Sequence, residues 1–296
     1  MAENMRTDWV ERAVADPKRI VLADAGDPRV DEAAKILTDR GLAIPILVDD
    51  LDAVRSDAVI AAGEALGDKV DLDDPLHVAV LMVKVGEADG CVAGATRSTA
   101  DVLRAGIRVL GVAPGTSVIS SSFFMVLSDG RTIGYGDCGV LPDPDAAQLA
   151  DVAISSAKTF HELSGLEPRV AMLSFSTKGS AEHPRVDKVR EATEIAQAAA
   201  PDLAIDGELQ FDAAWLPAIA ERKAPESKVA GNANVFIFPD LDSGNIAYKI
   251  TERIAGARAF GPLLQGVGGV LHDLSRGSSA TDIVNVATIA VMQSQG

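Results

Sequence analysis

The first fifty residues switch between short apolar runs and apolar positions at helical spacing. IVLAD at 20–24 is a short apolar run, typical of a buried strand, and RVDEAAKILTDRG at 29–41 has helical spacing and a closing glycine. A second apolar run, IPILVDD, follows at 44–50. This order of strand, helix and strand predicts a βαβ unit and therefore a parallel sheet. Residues 51–80 are acidic and weakly patterned.

A second strand-to-helix transition follows. CVAG at 91–94 is a small-residue strand end, and VLRAGIRVL at 102–110 has helical spacing. Arg97 lies in the intervening loop, and Arg104 lies about a turn and a half into the helix. Residues 116–144 then predict paired strands joined by the turn SDGR.

The middle of the chain alternates helix and strand. Three consecutive strands there end in polar or glycine-rich loops, STKGSAEHPR, DGELQFD and PDLDSGN. Because ligands bind beyond the carboxyl ends of strands in open α/β sheets, these loops are candidate walls of a binding cleft. One stretch in this part, FDAAWLPAIAERKAP at 211–225, is predicted to be a single helix.

Composition narrows the class of protein. The 296 residues are 47% hydrophobic but only 4% aromatic, which predicts a soluble two-domain α/β protein with a core of Ala, Val, Ile and Leu. No apolar run approaches the roughly 18 residues that a membrane span needs, and the charged N-terminus has no signal-peptide core. Cys91 and Cys138 form no C-x-x-C pair, so we expect neither a disulfide framework nor zinc, and a cytoplasmic location.

The net charge of −16 excludes a basic surface for nucleic acid. It also repels anionic ligands over long range, so that an anion site would need local arginines. No P-loop, dinucleotide-binding glycine motif or G-x-S-x-G nucleophile motif is present. The four histidines assemble no convincing Ser-His-Asp triad, and His272, near Ser275, is expected to be a solvated or hydrogen-bonded loop residue.

The strip DLSRGSSATDIV at 273–284 allows two interpretations. Ser279 and Asp282 have the spacing of a helix capping box, as do Ser98 and Asp101 earlier in the chain. Capping does not explain Arg276, whose guanidinium beside a glycine at a helix N-terminus would favour an anion. The strip is therefore either an ordinary helix start or half of an active site.

Six segments together resemble the phosphate acetyl/butyryl-transferase family. They are MVKVGEADGCVAGATRSTADVLR, AMLSFSTKGSA, AIDGELQFDAA, VAGNANVFIFPDLDSGNIAYK, GPLLQG and DLSRGSSATDIV, in the family's order over residues 82–284. The resemblance implies the reaction acetyl-CoA + phosphate ⇌ acetyl phosphate + CoA. It also implies direct attack by the thiol, with coenzyme A, acetyl phosphate and phosphate as partners and with no metal or prosthetic cofactor.

The resemblance assigns roles to the candidate residues. Asp282 would be the base that takes the thiol proton, Ser275 would steady the tetrahedral intermediate, and Arg276 would bind phosphate. Arg104 matches a second family arginine at the substrate site. Arg97 stands where family members often have histidine, and we expect it either to bind substrate or to be a solvated loop charge.

The family fold consists of two three-layer α/β/α domains with a cleft between them, like isocitrate and isopropylmalate dehydrogenases. Here it implies domain I at 1–114 plus 262–296 and domain II at 115–261, with a homodimer formed through domain II.

The sequence departs from the family pattern in two places. A basic R-K-x-K-G-like segment usual in the family before VKVGEADG is absent, and QGVGGVLHDLSRG lacks a positive charge before the motif. A catalytically weak acyl-CoA-binding or phosphate-binding relative is therefore the alternative to an active enzyme.

Overall fold

The computed structural model describes residues 7–295, which divide into two compact units. Among the described residues, unit 1 comprises 7–115 and 267–295, and unit 2 comprises Thr116–Gly266. The family resemblance implies a second boundary at 262. A strand at Arg258–Gln265 pairs through Gln265 with a neighbour in unit 2, so the chain leaves unit 2 only after that strand ends.

Unit 1 is built on a four-stranded parallel sheet. Its strands are β1 (Arg19–Leu22), β2 (Ile44–Leu47), β3 (Gly90–Ala93) and β10 (Leu271–Asp273), in the order β10-β3-β1-β2. Its helices are α1 (Thr7–Ala15), α2 (Pro28–Asp39), α3 (Leu51–Val54), α4 (Asp57–Leu66), α5 (Pro75–Lys84), α6 (Thr99–Val109) and α12 (Ala280–Gln293), with a 3-10 turn at Gly67–Lys69. The predicted βαβ unit is confirmed as β1-α2-β2.

Helices pack on both faces of this sheet because successive strand side chains point to opposite faces. Ile20, Leu22 and Val92 share one hydrophobic cluster with α1, α2 and α12. Cys91 and Ala93 alternate with Val92 and are fully buried on the other face, where α5 packs against β1 and β3, and α6 against β10.

Unit 2 is built on a six-stranded mixed sheet. Its strands are β4 (Ser120–Val126), β5 (Thr132–Gly136), β6 (Arg169–Leu173), β7 (Ala204–Leu209), β8 (Val235–Ile237) and β9 (Arg258–Gln265), in the order β7-β6-β8-β5-β4-β9. β4 pairs antiparallel with β5 and β9, and the other pairs are parallel. Its helices are α7 (Ala146–Ser164), α8 (Pro184–Ala199), α9 (Phe211–Trp215), α10 (Pro217–Lys223) and α11 (Leu241–Arg253).

The α/β class with parallel sheets is confirmed, and the structure adds helices in one weakly patterned segment and corrects one predicted helix. Residues 51–80 carry helices α3, α4 and most of α5; α5 is buried almost all round, so it shows no amphipathic period. The single helix predicted at 211–225 is two, because Pro217 lacks an N–H and leaves Leu216 extended at φ −104° and ψ 114°. Within residues 7–295 no helix is long and apolar enough to span a membrane.

Candidate active site

All five predicted site residues belong to unit 1 and lie beyond the carboxyl ends of its strands. Ser275 and Arg276 are in the loop between β10 and α12, and Asp282 is in the first turn of α12. Arg97 is in the loop between β3 and α6. Arg104 is on α6, and its guanidinium bonds back to Asp101 in the first helical turn. The fold therefore brings together segments that are about 180 residues apart in sequence.

The loops after β3 and β10 are in direct contact. The two strands pair in parallel with Asp273 opposite Ala93, and the Leu274 N–H donates to the Ala93 carbonyl at 2.8 Å. Gly94 has a φ of +106°, and a Cβ there would lie 2.4 Å from Asp273 Oδ1 and 2.7 Å from the Leu274 carbonyl oxygen. A side chain at 94 would therefore push the two loops apart.

A buried carboxylate at the end of β1 holds the β3–α6 loop. Asp24 accepts hydrogen bonds from the N–H groups of Gly94, Ala95 and Thr96 at 2.8, 3.1 and 3.2 Å, and another from the Thr96 hydroxyl. Because Asp24 is only 7% exposed, these bonds replace the water that the carboxylate loses on folding. They fix the backbone that leads to Arg97.

A second buried carboxylate, Asp273, ends β10 and is the first residue of the strip at 273–284. Its Oδ2 accepts from the Thr99 hydroxyl at 2.5 Å, whereas Oδ1 has no hydrogen-bond partner among the residues described. Burial is the main cause that raises the pKa of Asp273 to about 6, and the nearby charge of Asp24 adds to it. The carboxylate thus ties the end of β10 to the start of α6.

His272 is not the loop residue that the sequence suggests. It lies in β10 with its ring on the opposite sheet face from Asp273, and its Nε2 is 2.6 Å from Gln293 Oε1. Burial lowers the pKa of His272 to about 4, so the imidazole is neutral at pH 7. It is a core histidine on the side of the sheet that α12 covers.

The first turn of α12 forms the capping box that the sequence predicts. Asp282 Oδ2 accepts from both the N–H and the hydroxyl of Ser279 at 2.8 Å, and the Asp282 N–H donates to Ser279 Oγ at 3.2 Å. Asp282 is exposed, and its Oδ1 makes no hydrogen bond within residues 7–295. Capping therefore occupies one carboxylate oxygen and leaves the other available to a ligand.

The arginines at this edge differ in how they are paired. Arg97 makes a two-pronged ion pair with Asp74, the N-cap residue of α5, at 2.7 and 3.3 Å. Arg104 is paired with Asp101. The exposed guanidinium of Arg276, by contrast, makes no hydrogen bond or ion pair in the described part of the chain. Arg276 thus presents an uncompensated positive charge beside the N-terminus of α12.

One further arginine, Arg29 on α2, contacts three loops at this edge. Its Nε and Nη2 donate to Asp27 at 3.0 and 2.7 Å. Its Nη1 donates to the carbonyls of Arg276 and Ser278, both at 2.8 Å, and Nη2 also donates to the Ala95 carbonyl at 2.9 Å. Arg29 is in the first turn of α2 and begins the predicted helix at 29–41, but the sequence does not indicate these contacts.

The other ionisable candidates offer less to this site. Both cysteines are free and buried, and burial raises the pKa of each thiol, which disfavours either as a nucleophile. No group of three or more His, Cys, Asp and Glu residues within 7–295 could hold a metal ion.

One of the polar loops predicted in unit 2, STKGSAEHPR, contacts a buried carboxylate, Glu208 of the DGELQFD segment. Glu208 accepts from Ser176 Oγ at 2.8 Å, the Gly179 N–H at 2.9 Å and Arg190 Nε at 3.0 Å. Burial alone would raise its pKa, but these bonds outweigh burial and lower the pKa to about 2. The carboxylate is thus fully engaged within its own unit.

Sequence reasoning missed Arg29, Asp24 and Asp273 as members of the site. Asp24 and Asp273 were detectable, because each comes at or just beyond the carboxyl end of a strand in a predicted parallel sheet. Arg29 gave no comparable signal. Asp27, two positions before it, already fits a helix N-cap, so its presence does not point to a partner for Arg29.

Comparisons with known proteins agree on the family. The model of the phosphate acetyl/butaryl transferase family matches residues 64–291. A phosphate acetyltransferase from Acetivibrio thermocellus is 44% identical over an alignment that covers 97% of each chain. The crystal structure of a phosphotransacetylase from Streptococcus pyogenes superposes with a TM-score of 0.89 at 39% identity, covering 100% of this chain and 99% of the other. The chain belongs to the phosphate acetyl/butyryl-transferase family, and is thus an acyltransferase as predicted.

Two further results of the comparisons concern the fold and the length of the chain. A candidate 4-hydroxythreonine-4-phosphate dehydrogenase from Salmonella typhimurium shares the fold, with a TM-score of 0.52 at 12% identity over 94% of this chain and 99% of that one. The alignment with the Acetivibrio enzyme is 321 positions long, whereas this chain has 296 residues. That relative therefore carries residues with no counterpart here.

Proposed function

We propose that the chain is a phosphate acetyltransferase that catalyses acetyl-CoA + phosphate ⇌ acetyl phosphate + CoA at the carboxyl edge of the unit 1 sheet. The observation that carries the proposal is the exposed guanidinium of Arg276, which is unpaired within residues 7–295. Helices α2, α6 and α12 all begin at this edge, and their N-termini add positive dipole ends. An anion is therefore favoured here although the whole chain is acidic.

The chemistry follows from the groups around that anion. In the direction from acetyl phosphate, the thiol of coenzyme A attacks the acetyl carbonyl carbon while Asp282 Oδ1 takes the thiol proton. The Ser275 hydroxyl stabilises the tetrahedral oxyanion, a contribution of about 3–4 kcal/mol in such sites. The carbon–oxygen bond to phosphate then breaks, and phosphate leaves bound to Arg276. Burial of Cys91 and Cys138 supports transfer without an acyl-cysteine intermediate.

Arg104 and Arg97 are proposed to bind the remaining negative charge of the substrates. Both start from an ion pair, with Asp101 and Asp74 respectively. Exposed ion pairs stabilise a protein by about 0–1 kcal/mol, so a phosphate group could compete for either guanidinium. The same pairing supports the alternative function, a binding protein with weak catalysis, because it leaves fewer charges for the transition state.

A turnover assay beside a binding assay separates these functions. We expect acetyl-CoA to form from acetyl phosphate and coenzyme A. Arg276→Lys should weaken the use of acetyl phosphate far more than that of coenzyme A, because lysine offers a point charge without a fork. Binding of both substrates without turnover would select the alternative. Equal weakening of both substrates would make Arg276 structural.

We also propose that the protein is a homodimer formed through unit 2. Ile246, Ile250 and Ile254 are spaced one helical turn apart on α11 and at its C-cap, and they are 56%, 52% and 82% exposed. Such an apolar stripe is typical of a surface that a partner covers. Light scattering after size exclusion measures the mass directly, and a monomer would contradict the proposal.

A further inference from the structure

Arg29 uses its whole guanidinium to join three loops at the proposed active site. An arginine side chain carries five N–H donors. Arg29 makes five side-chain hydrogen bonds, two to the Asp27 carboxylate and three to main-chain carbonyls. Those carbonyls belong to Ala95 in the β3–α6 loop and to Arg276 and Ser278 in the β10–α12 loop.

These contacts are long-range and converge on the proposed phosphate site. Arg29 is 247 and 249 positions from Arg276 and Ser278 in sequence, and 66 positions from Ala95. Two of the bonds hold the main chain of the residue that would bind phosphate and of the residue just before the α12 cap. The Arg276 side chain is exposed and has no partner among the residues that the structure describes, so it can meet a ligand.

From this geometry, and resting on the proposed function, we propose that Arg29 is a positioning residue for Arg276. It binds no substrate itself. It fixes the Arg276 backbone and the start of α12, and thereby the distance between the phosphate site and Asp282. Asp27 in turn orients the guanidinium, since it grips Nε and Nη2 in a two-pronged pair and caps α2 through the Arg29 N–H at 2.9 Å.

Arg29→Lys tests the role, because it keeps the charge and removes the fork. Lysine has three donors on one nitrogen and cannot reach Asp27 and both loops in this arrangement. A misplacement of about 1 Å can cost on the order of 10²-fold in rate. We expect KM for acetyl phosphate to rise at least about tenfold and kcat to fall about tenfold or more. KM for coenzyme A should stay within about twofold of wild type.

Arg19→Lys is the matched control. Arg19 begins β1 at the opposite edge of the same sheet, and it makes a similar network with Asp89 at 2.8 and 3.1 Å and with the Gly86 carbonyl at 2.9 Å. Its replacement should lower Tm without changing the ratio of the KM for acetyl phosphate to the KM for coenzyme A.

Asp27→Asn is the second test. It preserves the cap of α2 but weakens the grip on Arg29, so it should change the same ratio in the same direction by a smaller factor.

Binding of inorganic phosphate, measured by titration calorimetry, keeps this proposal separable from the proposed function. If the wild-type protein binds phosphate but shows no turnover, the proposed enzymatic function is refuted. A loss of phosphate affinity in Arg29→Lys would still support the positioning role in that case. A folded Arg29→Lys variant with unchanged kcat and phosphate affinity would overturn it, as would equal changes for both substrates. If Arg29→Lys does not fold, the ratio of the KM for acetyl phosphate to the KM for coenzyme A in Asp27→Asn tests the positioning role instead. A wild-type chain that binds no phosphate would overturn both proposals.

Discussion

Asp282→Asn separates the two roles that Asp282 could have, the cap of α12 and the base of the reaction. The substitution keeps the size of the side chain and an oxygen that can accept from Ser279. It removes the negative charge and the ability to take a proton. Stability and rate therefore respond to different parts of the same change.

The structure sets the expected magnitudes. The Asp282 side chain contributes two bonds to the capping box, both to Oδ2 at 2.8 Å from the exposed Ser279, and asparagine can retain at least one of them. The free energy of unfolding should therefore fall by about 1 kcal/mol or less. Loss of a general base should lower kcat by roughly 10²–10⁴, with a modest change in KM.

The assay is acetyl-CoA formation at saturating substrates, beside thermal unfolding of the same samples. Asp101→Asn is the control, because Asp101 forms the same box with Ser98 on α6, with bonds to Oδ2 at 2.6 and 3.2 Å. It should lose similar stability and keep kcat within a few-fold. Its KM is expected to change because Arg104 loses its partner, so kcat is the deciding quantity.

A folded Asp282→Asn protein with nearly wild-type kcat would refute the proposal that Asp282 is the base of the reaction. Asp282 would then be a capping residue only, and another group would have to accept the thiol proton. The same conclusion follows if Asp101→Asn lowers kcat as much as Asp282→Asn. The fall in kcat would then come from disturbing the first turn of a helix, which both substitutions share, and not from the loss of a base.

Two further predictions concern neighbouring charges. Arg97→Ala should raise KM for an anionic substrate at least about tenfold, or roughly 1.4 kcal/mol, with a smaller effect at high salt. Asp74→Asn frees Arg97 and keeps the α5 cap, so it should lower the same KM. If KM is unchanged in both variants at low salt, the ion pair does not contribute to substrate binding. The pKa of Asp273 is about 6 when folded and its ordinary value is 3.8, so its contribution to stability is complete below pH 3.8 and is lost as pH rises through 6. Asp273→Asn should therefore gain stability relative to wild type by up to about 3 kcal/mol between pH 4 and pH 8, measured by denaturant unfolding, and a difference independent of pH would contradict the raised pKa.

Local patterns in the sequence were sufficient for much of the fold. The apolar runs and the helical spacing at 20–50 predict β1, α2 and β2, and the serine–aspartate spacings predict the caps of α6 and α12, all as found. These features depend on residues within one or two turns of each other, so the chain alone specifies them. The strip at 273–284 likewise identified the edge of the sheet where the candidate site lies.

The partners of the charged groups were decided only by the tertiary structure. Nothing near Arg97 in sequence indicates its pairing with Asp74, and nothing near Arg29 indicates the carbonyls of Arg276 and Ser278. These contacts exist because parallel strands need crossover connections, so β1, β3 and β10 become neighbours although long segments separate them. Strand order thus determines which loops meet at the carboxyl edge, and the sequence near each loop cannot reveal it.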